Sequence, residues 1–196
     1  MRKLIWSLFF TMLPFIGMAQ TDEKYLAGAV PEENGRVIFT KKIAVPLNAN
    51  EIYEAVKEWA AETYKSDEEF PNNRILSENP EANELNIGGE EYIVFSSKAW
   101  ALDRTRVYYK LNIACHDKQC TARIFNIKYW YEEERNGGQR FKAEEWITDE
   151  MGLNKSKTKL ARMSGKFRRK TIDRVEELFN NIETFINKKG VKSVMN

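Results

Sequence analysis

Residues 104 to 132 contain two runs of alternating apolar and polar positions, joined by the short stretch CHDKQC. Both runs are rich in β-branched and aromatic residues, which predicts a long β-hairpin. Because each predicted strand has one apolar face and one mixed face, the pattern indicates a sheet that is covered on one side only. The apolar face carries Val107, Tyr109, Leu111, Ile113 and Cys115 in the first strand, and Phe125, Ile127, Tyr129 and Tyr131 in the second.

The register of this hairpin presents a conflict. Direct pairing of Cys115 with Cys120 places Leu111 opposite Ile124, which mixes the apolar face of one strand with the mixed face of the other. A shift of one residue places Leu111 opposite Phe125, which the core would prefer. We therefore expect a β-bulge near the hairpin tip, because one extra residue satisfies both requirements.

The remaining periodicity predicts one strand before the hairpin, then a helix, then two more strands, with helices after it. Asn48 and Glu51 form a capping-box pattern at the start of the first helix. In the last helix, Ser164 and Gly165 mark the expected kink or break, and Gly190 the end. Outside the hairpin, we predict strands at 36–46, 74–78 and 84–96, and helices at 48–65, 143–146 and 157–188.

This order resembles a bacterial exported family of unknown function that is described as having a TATA-binding-protein-like fold. The resemblance lies in KKIAVPLNANEIYEAVKEWAAETY, EEYIVF, VYYKLNIAC and ARIFNIKYWYE, and it spans residues 36 to 188. It implies an α+β fold of order β-α-β4-α, with an antiparallel sheet and both helices on one face. It implies no activity, ligand or site residues, and fold likeness to a DNA-binding protein does not transfer function.

The chain begins with a secretion signal pattern. Arg2 and Lys3 precede a short apolar core, Leu4 to Ile16, and Gly17-Met18-Ala19 is a small-x-small cleavage pattern before Gln20. The alternative is a membrane anchor, but the apolar core of ~13 residues is short for a span, which needs ~20. We expect a signal peptide (1–19), a flexible leader (20–35), a single domain (36–190), a tail (191–196), and a periplasmic or secreted location.

The predicted export changes what the net charge and the two cysteines imply about function. Without the predicted signal peptide, Lys+Arg falls from 31 to 29 and equals the 29 acidic residues, so no global charge attracts nucleic acid. Because exported proteins favour disulfides, we predict a Cys115–Cys120 bond that contributes only ~2 kcal/mol, since its loop is short. A metal site or redox pair is the alternative, but the spacing is not CxxC and no second ligand pair follows.

No pattern in the chain indicates catalysis, a cofactor or a metal site. His116, the single histidine, lies in the hairpin turn, where a general base would lack an orienting partner. Acidic clusters occur at 67–69, 132–134 and 144–145, and sequence neighbours on turns are usually solvated. Gly88-Gly89 lacks the Lys-Ser or Lys-Thr of a phosphate loop, so we expect a bulge or bend there. The chain is therefore predicted not to be an enzyme.

Residues 155 to 170 are strongly basic and contain no acidic residue. One interpretation is a solvated helix face balanced by the acidic region 132–150. The other is a basic amphipathic helix start that holds the protein peripherally on anionic lipid or an acidic partner. The residues proposed for that contact are Lys155, Lys159, Arg162, Lys166 and Arg169.

The mixed face of the hairpin is the predicted working surface of an exported, non-enzymatic binding domain whose partner is a protein or envelope component. It combines aromatic rings, hydrogen-bonding groups and cations, with Trp130 and Tyr108 as expected anchors. The alternatives are an ordinary exposed sheet, or a face covered by residues 141–160. The predicted surface consists of Tyr108, Lys110, Asn112, Ile124, Asn126, Lys128 and Trp130.

Overall fold

The computed structural model describes residues 22–98 and 101–194, so the predicted signal peptide lies outside the described residues. A short 3₁₀ turn, Asp22–Tyr25, precedes the regular elements. These are β1 Glu32–Glu33, β2 Arg36–Ala44, α1 Ala49–Thr63, β3 Arg74–Asn79, β4 Glu84–Lys98, β5 Ala101–His116, β6 Gln119–Tyr131, β7 Gln139–Lys142, α2 Ala143–Trp146 and α3 Ser164–Val194.

The strands form one antiparallel sheet of seven strands in the order β1-β2-β6-β5-β4-β3. Strand β7 pairs with β6 beyond the point where β2 ends, so β6 changes its edge partner part-way along its length. Helices α1 and α3 bury their apolar residues in the same core as the sheet. The predicted α+β fold is therefore confirmed, with β1 and β7 as strands that the sequence pattern did not reveal.

Helix α1 begins as its sequence predicts. The Asn48 side chain accepts the Glu51 backbone N–H at 3.0 Å, and the Glu51 carboxylate accepts the Asn48 N–H at 2.9 Å. This reciprocal capping satisfies two backbone donors that the helix itself cannot. Ile52 and Val56 are fully buried, and Trp59 lies in the core as expected. Each such buried side chain contributes roughly 1.5–3 kcal/mol to stability.

Helix α3 differs from its prediction at both ends. It begins at Ser164, because the preceding residues fold into a loop in which Leu153 bridges Leu160. Gly165 lies so close to Leu160 that an added Cβ would be 2.7 Å from the Leu160 Cβ. At the other end the helix continues through Gly190 into the predicted tail. A glycine inside a helix costs about 1 kcal/mol relative to alanine but does not by itself end the helix.

The predicted flexible leader is wrong for residues 22 to 35, which are folded onto the domain. Arg168 on α3 is fully buried and donates to the carbonyl oxygens of Tyr25 and Leu26, both at 2.6 Å. Gly28 N–H donates to Asp149, which also pairs with Arg168. A buried guanidinium needs all its donors satisfied, and this requirement fixes the leader. Polar composition alone did not reveal it.

The central hairpin contains the expected bulge, although not near the tip. Cys115 pairs directly with Cys120, and the direct register continues through Lys110 and Phe125. The shift follows at Tyr109, so the predicted pairing of Leu111 with Phe125 is wrong and Leu111 faces Ile124. The bulge therefore coincides with the point where β6 exchanges β2 for β7.

The predicted disulfide is not formed in this structure. Cys115 and Cys120 are buried free thiols on the core face. Directly opposed residues in an antiparallel pair have Cβ atoms ~4.5–5.5 Å apart, longer than the ~3.8 Å typical of a disulfide. The pair therefore packs as two small apolar side chains at the end of the core.

Gly88 and Gly89 do not interrupt β4, whose register with β5 is continuous there. Register shifts occur instead in β3, between Ile75 and Ser77, and further along β4, between Val94 and Ser96. A Cβ on Gly89 would lie 2.3 Å from the ring of Tyr109. The glycine is therefore needed because the tyrosine ring lies against the β4 backbone.

Candidate functional site

One face of the sheet carries no helix in the described chain, and we call it the open face. Residues 141 to 160 do not cover it, since Ala143 and Ile147 are buried in the core and Trp146 stacks on Phe141 beside Phe167 of α3. The structure places six of the seven predicted residues on the open face. They are Tyr108, Lys110, Asn112, Asn126, Lys128 and Trp130.

The prediction is wrong for the seventh residue, Ile124, which does not lie on the open face. It is buried with 1% of its surface exposed, because the strand keeps its direct register up to Phe125. Beyond the bulge the faces exchange, so Ile127 and Tyr129 point into the core as predicted. Phe125, predicted for the core, is instead half-buried on the open side.

Four of these side chains lack a hydrogen bond or ion pair within the described chain. Lys110, Asn126 and Lys128 are exposed, and Tyr108 is half-buried beside them. Tyr108 pairs with Lys128 across the strands, and Lys110 follows on the next open-face position. Burial raises the pKa of Tyr108, so its hydroxyl stays protonated and can donate. We call Tyr108, Lys110, Asn126 and Lys128 the donor patch.

The bulge positions the amide of the donor patch. Asn126 has φ of +54°, a left-handed conformation that asparagine tolerates better than most residues. A bulged residue changes where its side chain points, and bulges are common beside functional sites. The result is an exposed amide that directly follows Phe125, the partner of Lys110, and precedes Lys128 by two residues.

The side chains of the two remaining predicted residues, Asn112 and Trp130, are hydrogen-bonded within the fold. Asn112 donates to Asn86 at 2.9 Å and to Glu84. Trp130 Nε1 donates to the Gly137 carbonyl at 2.8 Å, and Arg140 lies 4.0 Å above the Trp130 ring. Trp130 therefore fixes the β6–β7 turn, which reduces the ring surface left for a partner.

A second cluster on the open face is centred on Arg106, and we call it the arginine cluster. Arg106 Nε donates to Glu133 at 2.7 Å, Nη1 donates to Glu90 at 2.8 Å, and Nη2 donates to Tyr92 at 2.6 Å. Tyr92 in turn donates to Glu133. Glu90 has only 3% of its side chain exposed and Arg106 14%. Buried charges of this kind are stable only when paired and hydrogen-bonded.

The arginine cluster also holds the loop between α1 and β3. Asn72 donates to Glu90 from its backbone at 3.0 Å and from its side chain at 2.8 Å. Arg106 donates to the Glu69 carbonyl at 2.6 Å, and the Phe70 ring packs edge-on against Tyr92. This end of the open face is therefore closed by its own chain.

Glu133 in the arginine cluster and Glu91 on the opposite face of β4 have opposite pKa shifts. Burial alone would raise the pKa of Glu133, but hydrogen bonds from Arg106 and Tyr92 outweigh it and hold the pKa below its usual value. Burial raises the pKa of Glu91 on the core face, although Arg174 lies 2.7 Å away and opposes the rise.

A cleft of about 690 Å³ opens beside the arginine cluster. The cleft is lined by charged groups of both signs. The guanidinium of Arg104 lies 3.7 Å from the centre of the Tyr92 ring, and Arg104 Nη2 is 3.6 Å from Glu134. Glu90 and Glu133, the most buried carboxylates beside the cleft, are both paired with Arg106. A base must be free to accept a proton, so this arrangement does not favour acid–base chemistry.

The other candidates from the sequence are dispersed. His116 is exposed at the end of β5, and Glu144 accepts the Val37 N–H at 3.0 Å. Within residues 22–98 and 101–194, no group of three or more metal-binding side chains comes together. Of the acidic clusters expected to be solvated, Glu133 and Glu144 are instead bound within the fold.

Sequence reasoning missed the arginine cluster. Its members come from β4, β5 and the β6–β7 turn, and only the strand register brings Tyr92 opposite Arg106. One feature of the sequence did indicate such a cluster: Glu90, Arg104 and Arg106 are charged residues within predicted strands. Charges there need partners, but the sequence does not say which ones.

The basic segment is not the helix start that its composition suggested. Lys155, Lys159 and Arg162 are exposed in the loop before α3. Lys166 pairs with Asp103 at 2.8 Å, and Arg169 lies 5.3 Å above the Tyr25 ring. Lys166 and Arg169 therefore take part in the fold, and the proposed contact surface loses both.

Comparison with known proteins settles the family. A crystal structure of a DUF4468 family protein from Bacteroides ovatus is 37% identical to this chain, with a TM-score of 0.78. The similarity covers 84% of this chain and 94% of that protein. The chain belongs to the DUF4468 family. That family is described as a domain of unknown function with a TBP-like fold, and its profile matches residues 39–130.

A second solved structure supports the architecture alone. A TBP-like protein from Parabacteroides distasonis is 21% identical, with a TM-score of 0.66, over 80% of this chain and 96% of that one. No curated protein matches the chain at a significant level. The predicted TBP-like family and fold are thus confirmed, and the family contributes no activity.

In the described part of this DUF4468 protein, no helix is both long enough and apolar enough to cross a bilayer.

Proposed function

We propose that this protein is an exported, non-enzymatic binding module whose donor patch recognises an acidic polypeptide segment. The observation that carries the proposal is the set of four hydrogen-bond donors, Tyr108, Lys110, Asn126 and Lys128, which have no partner in the described chain. A protein surface that leaves neighbouring donors unsatisfied is well suited to a ligand with acceptors, and carboxylates form the strongest such bonds.

The flatness of the surface favours a macromolecule over a small molecule. Small-molecule sites are concave and bury most of their ligand. The donor patch lies on a pleated sheet beside Ile38 and Phe125, which pair across β2 and β6 and are half-buried. An extended segment with acidic and apolar residues would contact both the donors and these side chains.

The charge pattern favours a polypeptide over nucleic acid. Glu84 and Glu90 lie on the same face as Lys110, and Glu133 lies in the adjoining turn. Because Glu90 and Glu133 are paired with Arg106, Glu84 is the carboxylate that would repel a ligand with a charge on every unit, whereas a polypeptide places its charges singly. The TBP-like fold carries no argument for DNA binding, because fold does not determine function.

The test measures binding of dye-labelled peptides in which glutamate alternates with apolar residues, by fluorescence polarisation. The variant K110Q/K128Q should weaken binding about tenfold or more, since each bond to a charged group contributes ~1.5–3 kcal/mol. The matched control is K155Q/K157Q, which removes equal charge from a distant exposed loop. Absence of binding across the peptide panel, or stronger binding of single-stranded DNA, would refute the proposal.

A further inference from the structure

The loop between α2 and α3 presents a second cationic surface, unrelated to the open face. Residues 154 to 159 form its tip, and we call them the lysine loop. Asn154 N–H donates to the Lys159 carbonyl at 2.9 Å, and Lys157 N–H donates to the Asn154 carbonyl at 2.8 Å. Together with the bridge between Leu153 and Leu160, these bonds give the loop a hairpin-like form.

The polar side chains of the lysine loop bind one another. Asn154 Oδ1 accepts the backbone N–H groups of Thr158 and Lys159 at 2.9 and 3.0 Å. The Ser156 and Thr158 hydroxyls are 2.9 Å apart, and Asn154 Nδ2 donates to Ser156 at 2.9 Å. The loop is therefore preorganised by its own hydrogen bonds, in which the lysines take part through their backbone and not through their side chains.

The three lysines alternate with these hydrogen-bonded residues and are exposed. Within the described ranges, Lys155, Lys157 and Lys159 make no ion pair or hydrogen bond through their side chains, and Arg162 makes none either. No acidic residue occurs between Met151 and Lys170. The lysine loop therefore carries positive charge only.

Two large apolar side chains lie at the base of the same loop. Met163 is 63% exposed and Met151 46%, and Ser164 Oγ donates to the Met151 carbonyl at 2.5 Å. Exposed methionines beside uncompensated lysines match the chemistry of a bilayer surface, where anionic headgroups lie above an apolar layer.

The position of the amino-terminal segment also favours a bilayer over an acidic protein. The carbonyl oxygens of Tyr25 and Leu26 bind Arg168 at the start of α3, so the described chain begins close to this loop. The apolar sequence Leu4–Ile16 precedes that point by few residues. A precursor held at a membrane by this segment would bring the lysine loop near the same surface.

We propose that the lysine loop docks this protein on an anionic lipid bilayer, with Lys155, Lys157 and Lys159 contacting headgroups and Met151 and Met163 adding apolar contact. The proposal is independent of the open face. Juxtamembrane lysines each add roughly 1 kcal/mol, or about fivefold in affinity, on an anionic surface.

The test is co-sedimentation with vesicles of mixed phosphatidylglycerol and phosphatidylcholine, using vesicles of phosphatidylcholine alone for comparison. The amino terminus of the purified protein is first established by mass spectrometry, so that a retained apolar segment is not mistaken for loop binding. We expect binding to the anionic vesicles only, weakening as salt is raised. The triple variant K155Q/K157Q/K159Q should bind about 100-fold more weakly.

The matched control is K42Q/K65Q/K118Q, which removes three exposed lysines outside both the lysine loop and the donor patch and should bind anionic vesicles like the unchanged protein. Binding that both triple variants lose equally would show that total charge, and not this loop, is responsible. That result, or failure of the unchanged protein to bind anionic vesicles, overturns the proposal. Neither outcome bears on peptide binding by the donor patch.

Discussion

The two ends of the open face use similar residue types in opposite ways. In the arginine cluster, the donors of Arg106 are bound to Glu90, Glu133 and Tyr92, and the cluster is largely buried. In the donor patch, Lys110 and Lys128 are exposed and have no partner in the described chain. The difference is burial. A cation removed from water must be paired within the fold, whereas a solvated one is free for a partner.

The largest expected effect is on the arginine cluster. Arg106→Ala leaves Glu90 buried without its cation and releases the loop around Phe70, so the free energy of unfolding should fall by about 3–5 kcal/mol. Urea denaturation measures this change. Lys110→Ala is the control and should stay within about 0.5 kcal/mol. Equal effects of the two substitutions would abolish the distinction between the regions.

Trp130 lies between the two regions. Its replacement distinguishes a role in the stability of the β6–β7 turn from a role in partner binding. Trp130→Ala removes the bond to Gly137 and the contact with Arg140, and should cost about 1–2 kcal/mol. Trp130→Phe keeps a ring below Arg140 and should cost about half as much. If neither variant changes the thermal melting temperature while peptide binding is lost, Trp130 is a partner anchor and not a support of the turn.

A smaller effect concerns pH. The pKa of Glu133 is lower in the folded protein than in the unfolded chain, so its stabilisation is present above the unfolded pKa of about 4.3 and is lost as pH falls through the folded pKa. Glu133→Gln should therefore lose less stability than the unchanged protein on acidification through that window. Urea titrations at several acidic pH values measure the difference.

The control for this prediction is Glu91, whose pKa is shifted in the opposite direction to that of Glu133. Burial raises the pKa of Glu91 in the folded protein, so its contribution is full below the unfolded pKa and is lost as pH rises through the folded pKa. Glu91→Gln should remove that dependence. Identical pH profiles for the two variants would contradict the assignment of these neighbouring regions to different environments.

The smallest expected effect on stability is that of the donor patch. K110Q/K128Q should change the free energy of unfolding by less than about 0.5 kcal/mol, because the side chain of neither lysine makes a hydrogen bond or ion pair in the described chain. The same urea series measures it. A substantial loss of stability would mean that these lysines support the fold, and the binding proposal would lose its basis.

Much of the fold follows from local patterns in the sequence. Alternation in β5 and β6 and the helical spacing of Ile52, Val56 and Trp59 depend only on which faces are buried. The capping of α1 by Asn48 and Glu51 is equally local, since both partners lie within one helical turn. These features were predicted correctly because neighbours in sequence decide them.

The open-face residues were predictable for the same reason, with one exception. Tyr108, Lys110 and Trp130 alternate with apolar neighbours, and their face follows from the two-residue period of a strand. Ile124 was assigned wrongly because the bulge lies at Asn126, where β6 exchanges β2 for β7. No local pattern indicates where a strand changes its edge partner.

The sequence by itself determined the two long helices, the five longest strands, the exposed face and most of the residues on it. Only the tertiary structure decided which charges are bound and which are free. Arg168, Lys166 and Lys159 lie in one basic run, yet the first is buried among carbonyl oxygens, the second pairs with Asp103 and the third is exposed. The partners of the Arg168 and Lys166 side chains lie 19 to 143 residues away along the chain, whereas the Lys159 side chain has none in the described residues. Long-range packing therefore separates structural cations from those available for binding, since desolvation depends on position in the fold and not on residue type.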